Sequence, residues 1–217
     1  MSELLVGRSL GLDLRGVAAY LPRLCRWRVL ILAIVGSWAL TGWRIGDIGT
    51  ESEAVWLIRF VTAVGALGAM FALDDPSYDV TQSAVGARRY VMPIRLAVVG
   101  VATCCAGLPV LVMTADEVSA QTLWGLIIEA ASLLALLTAV ALTLQRRWRI
   151  SEPGQFAVFG VLLLAASEQA TAGRWTLLVT PGDGWADAQW RWLAIGAVAL
   201  AVCLWQLRDP ASRRLLH

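Results

Sequence analysis

Long runs of apolar residues separated by short polar connections dominate this chain. A helix needs about 20 mostly apolar residues to cross a hydrocarbon layer of about 30 Å, at about 1.5 Å per residue. Six runs approach or reach this length, so the sequence predicts an all-α integral membrane protein with six transmembrane helices, at 29–43, 54–73, 96–114, 123–144, 156–171 and 190–207. The composition agrees with this prediction, because 58% of the residues are hydrophobic and only 16% are charged, against about 25% charged in soluble domains.

The segments that flank the spans differ from them in character. Residues 1–28 mix leucines with arginines and lack both a continuous apolar core and a small-residue cleavage site. We therefore expect an interfacial amphipathic helix at 1–28, with its apolar face in membrane lipid, rather than a cleavable signal peptide. Residues 208–217 are expected to form a short cytoplasmic tail.

The distribution of arginine predicts the orientation of the chain. All 18 basic residues are arginine, a usage typical of high-GC bacterial genomes, so we expect a multi-pass protein of the bacterial inner (cytoplasmic) membrane. With the N-terminus inside, fourteen of the eighteen arginines fall on cytoplasmic segments; the others are Arg44, Arg59, Arg174 and Arg191. Cytoplasmic loops of membrane proteins are enriched in Lys and Arg. The sequence therefore predicts N-in, C-in topology.

Several kinds of site are disfavoured by the composition. The chain contains no lysine, and a Walker A phosphate loop needs one. Its only histidine is His217, and Cys25, Cys104, Cys105 and Cys203 form no CxxC or Cys/His ligand set. We therefore expect no catalytic residue, no metal site and no cofactor in this chain, and no enzyme activity of the chain by itself. The net charge of +2 is too small to indicate nucleic acid binding.

The longest cytoplasmic loop lies between the second and third predicted spans. Its sequence includes Asp74, Asp75, Pro76, Ser77, Tyr78 and Asp79, and then Arg88 and Arg89. Asp75 followed by Pro76 is a strong helix start, because a carboxylate caps the first turn and proline suits the first helical position. We expect a short helix across the membrane face. The simpler alternative is a topological connector with anchoring arginines.

Three short stretches carry a family resemblance. They are Ala72-Leu73-Asp74-Asp75-Pro76-Ser77, Arg88-Arg89-Tyr90 and Leu207-Arg208-Asp209-Pro210-Ala211-Ser212-Arg213-Arg214. With the six spans around them, these stretches resemble the permease subunits of actinobacterial type-2 ABC exporters.

The resemblance implies that the loop forms a coupling helix that docks into a separate ATP-binding cassette subunit. The implied docking residues are Asp74, Asp75, Pro76, Ser77, Tyr78, Asp79, Arg88 and Arg89. It also implies that ATP and Mg lie on that partner, and that a second permease chain, identical or paralogous, completes a path for a hydrophobic or amphipathic substrate. A half-inserted outer hairpin precedes the sixth span in this family, and 172–189 has a suitable length and apolar content for one.

Charged residues inside or close to the predicted spans form a second set of candidate functional residues. Arg59, Glu129, Glu168 and Arg174 are all predicted in the outer third of the membrane, close enough in depth for Arg–Glu pairing. Ions within a bilayer face protein or water and tend to pair. These residues could therefore form an outer gate or a polar substrate path. Alternatively, they extend their charged groups to the nearby interface without pairing.

Two other classes of function remain open from the sequence. A non-transporting membrane partner, such as an immunity, sensor or assembly subunit, would equally lack chemical motifs. An intramembrane lipid-modifying enzyme would need a convergent set of catalytic groups. The acids within the predicted spans are Glu129 and Glu168, with no histidine to join them, so this class is the least favoured. In every case membrane lipids are expected partners.

Overall fold

A computed structural model of the protein describes residues 26–44, 46, 48–74, 87–170 and 177–207, with side chains except at 87–92, 157, 162, 164–170 and 207. Within these residues the structure is all-helical and contains no strand. The helices are α1 (Trp27–Arg44), α2 (Glu51–Met70), α3 (Ala87–Met113), α4 (Ala120–Arg147), α5 (Pro153–Ala170) and α6 (Trp185–Leu207), and a 3-10 turn at Phe71–Leu73 extends α2. The predicted interfacial helix at 1–28 lies almost entirely outside the described residues, and the tail at 208–217 lies wholly outside them.

Within the described residues, each of the six predicted spans coincides with a helix, except for Thr114, which follows α3; Thr171 lies outside the described residues. Four helical stretches in the described residues are long and apolar enough to cross a membrane: Glu51–Leu73, Pro93–Met113, Ala120–Arg147 and Trp185–Gln206. Helices α1 and α5 are shorter, at 18 residues each, and have polar residues at their ends. The structure is therefore compatible with a multi-pass membrane protein, and the six-span arrangement stays a prediction.

Polar residues determine where α2 and α4 begin. The Thr50 hydroxyl accepts a hydrogen bond from the Glu53 backbone N–H, and the Glu53 carboxylate accepts one from the Thr50 N–H, which forms a capping box. Ser119 caps α4 through the Thr122 N–H, and its own N–H donates to the Glu51 carboxylate over 3.1 Å. These contacts hold the N-termini of α2 and α4 side by side.

Helix α2 occupies the centre of the bundle and contacts α1, α3, α4 and α5. Small residues permit the closest of these contacts. A Cβ atom added at Gly68 would lie 2.0 Å from the Cβ of Ala33 on α1, and one at Gly65 would lie 2.5 Å from the Cβ of Ala106 on α3. Glycine and alanine allow neighbouring backbones to approach in this way, which is a common device in membrane helix packing.

Helix α3 contains Pro109, which cannot donate a hydrogen bond to the carbonyl of Cys105 four residues earlier. Trp38 of α1 supplies the missing donor, because its indole Nε1 lies 2.9 Å from the Cys105 carbonyl oxygen. A backbone carbonyl without a donor is costly in an apolar surrounding. This bond therefore both stabilises the proline-containing helix and joins α1 to α3.

Helix α6 packs along the length of α4. Trp185 and Gln189 lie against Gly125, Gly196 lies against Ser132, and Cys203 of α6 contacts α4 nearer its C-terminus. The outer faces of the bundle are apolar, and large side chains there are more than half exposed, among them Leu32, Val112, Leu163 and Val198. Such a surface is expected of helices that face lipid rather than water.

Hydrogen bonds between helix ends show that the helices alternate in direction. Gln145 Nε2 donates to the Leu73 carbonyl over 2.7 Å, and Arg146 Nη1 donates to the Gln206 carbonyl over 2.9 Å. The N-terminus of α5 lies at the same end, where Gly154 contacts Asp74. We call this the arginine-rich end; its arginines with described side chains are Arg26, Arg28, Arg95, Arg146, Arg147 and Arg149. The opposite end, which we call the acidic end, carries Glu51, Glu53, Asp116, Glu117, Asp183 and Asp187.

Candidate functional site

A buried ion pair joins α2 to α4 near the acidic end. Arg59 Nε donates to Glu129 Oε1 and Arg59 Nη2 donates to Glu129 Oε2, each over 2.8 Å. The whole residues are only 8% and 6% exposed, respectively. A bidentate arginine–carboxylate pair is among the strongest hydrogen-bonded pairs in proteins, and each residue neutralises a charge that would be costly to bury alone.

Aromatic side chains and a backbone carbonyl complete the surroundings of Arg59. The Cζ atom lies 5.4 Å from the centroid of the Trp56 ring and 5.7 Å from that of the Trp185 ring, distances typical of cation–π contacts. Nη2 also donates to the carbonyl of Val179 over 2.8 Å. Nη1 is buried and makes no hydrogen bond to a described residue.

The segment 177–184 precedes α6 and lies over this ion pair. Residues 177–181 are partly buried, and the Leu177 carbonyl accepts a hydrogen bond from Trp192 Nε1 over 3.0 Å. The chain turns into α6 at Gly182 and Gly184, whose φ values are 138° and 85°. Residues with a side chain rarely adopt these values, so glycine suits both positions. The predicted hairpin at 172–189 is described from residue 177 onward, where it forms this segment and then the first turn of α6.

The side chains of the other two residues of the predicted outer cluster are not described by the structure. Glu168 lies on α5, but its side chain is not among the described ones, and Arg174 lies outside the described residues. The structure thus brings Arg59 and Glu129 together, as their predicted depths suggested. Whether the four residues form a gate or a path stays a prediction.

A second buried contact lies at the arginine-rich end, where α2 finishes. The carboxylate of Asp74 is fully buried, and its Oδ1 accepts a hydrogen bond from the Gly154 backbone N–H over 2.7 Å. Gly154 is in the first turn of α5, whose N–H groups have no partner within their own helix. Asp74 therefore caps α5 from a different segment of the chain, 80 residues away in sequence.

Charged neighbours surround the Asp74 carboxylate. Arg26 Nη1 lies 3.8 Å from Asp74 Oδ2, and the same guanidinium also pairs with Glu152. Burial raises the pKa of the Asp74 carboxyl above its ordinary value of 3.8, while the Gly154 N–H and the charge of Arg26 oppose this rise only in part. The position of Asp74 ties the end of α2 to α5 and to the start of α1.

Most of the remaining predicted coupling residues lie outside the residues that the structure describes. Asp75, Pro76, Ser77, Tyr78 and Asp79 are not among the described residues, and Arg88 and Arg89 are described only as part of the α3 backbone. The carboxylate of Asp74 is buried within its own chain, where it contacts α5, so it does not lie on the surface of the protein. The docking role of the other residues stays a prediction.

Sequence reasoning missed several residues of these two contacts. Val179 takes part through a backbone carbonyl, Gln145 donates to another, and Gly154 acts through its N–H. Every residue type except proline offers the same backbone groups, so such contacts leave no signal in the sequence. Trp185 did have a signal in the sequence, because the Gly182-Asp183-Gly184 turn before it marks the start of a helix.

No family model, curated protein or solved structure matches this chain. The family resemblance drawn from its short sequence stretches therefore stays a prediction. Among the described residues, no group of three His, Cys, Asp or Glu side chains is arranged to hold a metal ion.

Proposed function

We propose that this chain is the transmembrane permease subunit of an ATP-driven ABC exporter, with six membrane crossings and both termini in the cytoplasm. A second permease chain would complete the path for a hydrophobic or amphipathic substrate. Separate ATP-binding cassette subunits would hold ATP and Mg. The observation that carries the proposal is that one central helix, α2, contributes Arg59 to a buried ion pair near the acidic end, while Asp74, just after its 3-10 extension, makes a second buried contact at the arginine-rich end.

The distribution of charge between the two ends supports the orientation. The arginine-rich end holds most of the described arginines, and the acidic end holds Arg44, Arg59 and Arg191 beside several carboxylates. The arginine bias of membrane proteins favours the cytoplasm. The arginine-rich end would therefore face the cytoplasm, together with the loop at 75–86.

Helix α2 offers a direct mechanical connection from that loop to the outer end. The loop begins one residue after Asp74, which is bound to α5, while Gln145 binds α4 to the adjacent Leu73 carbonyl. Arg59 lies on α2 about 22 Å away, at about 1.5 Å of rise per residue. A displacement of the docked loop would thus move α2 relative to its neighbours at both ends, as alternating access requires.

At the acidic end, the ion pair of the proposed outer gate is formed in this structure. Arg59 holds both Glu129 of α4 and the carbonyl of Val179, so the segment 177–184 covers the pair. Movement of α2 along its axis would stretch these bonds together. We propose that their opening admits substrate to the outer side, and that Asp75 to Asp79 make the contact with the ATP-binding subunit.

The proposal is tested first by the identity of the partners. Affinity purification of the chain in a mild detergent, followed by mass spectrometry, should recover an ATP-binding cassette subunit. Replacement of 75–79 by a Gly/Ser segment of the same length should then abolish substrate-stimulated ATPase activity of that complex. The exposed Arg28→Gln variant at the same end is the matched control and should leave activity unchanged.

Two results would overturn the proposal. One is the absence of any ATP-binding subunit in the purified material, which would favour the non-transporting partner class. The other is normal transport and ATPase activity after replacement of the loop. Orientation is checked separately, because a fluorescent protein fused after residue 217 should fluoresce only if the C-terminus is cytoplasmic.

A further inference from the structure

An apolar groove runs along the outer face of the contact between α4 and α6. Its volume is about 820 Å³. We call it the α4–α6 groove, and its lining consists of Leu136, Ala139, Val140, Thr143, Leu144, Arg147, Trp148, Ala194, Ile195, Val198, Ala199 and Val202. The floor is closed, because Ala139 and Ala199 are buried in the helix contact itself.

The walls of this groove suit a hydrocarbon chain. The lining contains one hydroxyl, that of Thr143. It donates a hydrogen bond to the Ala139 carbonyl of its own helix over 2.7 Å, so its hydrogen already has an acceptor. Along α4 the lining extends from Leu136 to Trp148, which is about 18 Å at about 1.5 Å per residue. This is somewhat more than half of the hydrocarbon layer of about 30 Å, so the groove has the depth of one membrane leaflet.

Polar chemistry is confined to one end of the groove. Arg147 and Trp148 line it at the arginine-rich end, and both are exposed. The neighbouring Arg146 is engaged, because it donates to the Gln206 carbonyl and lies 5.9 Å from the centroid of the Trp205 ring. Arg147 makes no ion pair within the described part of the chain, so its charge is available to a ligand.

This arrangement matches the order of groups in a phospholipid at a membrane interface. Tryptophan prefers the headgroup level, and basic pockets between membrane helices bind anionic headgroups. A guanidinium presents paired N–H donors that match the oxygens of a phosphate. The apolar walls then begin where the acyl chains of such a lipid would begin.

We propose that the α4–α6 groove binds one anionic phospholipid, with an acyl chain between Val140 and Val198 and the phosphate on Arg147. Charge complementarity selects this occupant over a zwitterionic lipid, because the exposed Arg147 guanidinium at the end of the groove makes no ion pair with another described residue. The proposal requires that α4 and α6 lie in a bilayer, but it does not require that the chain be a permease. Its failure is therefore separate from that of the proposed function.

The test is native mass spectrometry of the full chain in mild detergent with added dioleoyl phosphatidylglycerol or dioleoyl phosphatidylcholine. We expect one phosphatidylglycerol to be retained per chain and phosphatidylcholine to be lost. Arg147→Gln should reduce the retained fraction about fivefold, the effect expected of one interfacial basic residue. Val198→Trp, at a position that is 66% exposed, should fill the groove and abolish retention.

Two control variants separate the groove from general effects. Arg149→Gln removes the same charge two residues away but not from the lining, and Val101→Trp adds the same bulk at a 63% exposed position on α3. Both should retain the lipid as the unaltered chain does. Circular dichroism of each variant checks that the helices are intact.

Three results would overturn the proposal. The first is equal retention of the two lipids, and the second is equal loss in Arg147→Gln and Arg149→Gln. The third is a dimer of the unaltered chain that Val198→Trp converts to monomer without any change in lipid retention, because the groove would then be an interface between two copies.

Discussion

Removal of the Glu129 carboxylate is the sharpest test of the ion pair between α2 and α4. In Glu129→Ala, Arg59 loses two hydrogen bonds of 2.8 Å and keeps the Val179 carbonyl and its two tryptophan contacts. The guanidinium remains charged at 8% exposure. Breaking a buried pair in this way costs about 3–5 kcal/mol, because the surviving charge is left uncompensated.

The double variant Arg59→Met, Glu129→Leu distinguishes pairing from mere burial. It removes both charges and replaces them with apolar side chains of similar volume, so no charge is left unpaired. We expect its stability to lie within about 1 kcal/mol of the unaltered chain or above it. The two single changes should therefore be strongly non-additive, with an interaction energy of about 2 kcal/mol or more.

The assay is reversible unfolding in dodecyl maltoside micelles by titration with sodium dodecyl sulfate, followed by far-UV circular dichroism. Asp187→Asn serves as the control, because it removes an exposed acid at the same end and should change stability by less than about 0.5 kcal/mol. A loss below about 1 kcal/mol in Glu129→Ala, or additive single changes, would refute the reasoning. Either result would mean that the two charges reach the interface separately.

Three further predictions concern Asp74, which follows α2, and Gly68 near its C-terminus. Asp74→Ala should cost about 1–3 kcal/mol, because the buried N–H of Gly154 loses its acceptor, whereas Asp74→Asn keeps an acceptor and should cost less than about 1 kcal/mol. Since the pKa of Asp74 is raised in the folded chain, the folded state binds the proton more tightly, and the contribution of this group to stability should fall as pH rises above 3.8. The same titration at several pH values should show this fall in the unaltered chain but not in Asp74→Asn. Gly68→Ala should cost about 1–3 kcal/mol because its Cβ meets Ala33, while Gly36→Ala, with no atom within 4 Å, should be neutral or slightly stabilising; equal effects at the two glycines would contradict the packing described.

Hydropathy predicted where the helices lie better than where they begin. The predicted spans at 54–73 and 190–207 start later than α2 and α6, which begin at Glu51 and Trp185. The missed first turn of α2, Glu51 to Glu53, is helical because of its capping box rather than because of apolar character, and the missed start of α6 carries an acid, Asp187, in its first turn. Hydropathy detects the part of a helix that matches a bilayer, whereas hydrogen bonds at its ends determine its length.

The two buried contacts differed in how far they could be foreseen. Arg59 and Glu129 are charged residues at similar depth in apolar segments, so the cost of an unpaired ion made their association one of the two alternatives that the sequence left open. The bond from Gly154 to Asp74 joins residues 80 positions apart and uses a backbone N–H. Its prediction would have required knowledge of which helix end lies beside the end of α2.

The composition of α2 bears on how this helix could move. It is held at Arg59, and again at Asp74 just after its 3-10 extension, by buried contacts of charged groups. Such contacts are either formed or broken, because a half-broken buried ion pair retains the cost of desolvation without the gain of pairing. Between these two contacts it packs through Gly65 and Gly68 against alanines, whose small side chains do little to obstruct displacement along the helix axis. A helix held in this way favours two discrete positions over a continuous range. Under the proposed function, loss of the Asp74 contact should therefore uncouple ATP hydrolysis from transport even where the chain remains folded.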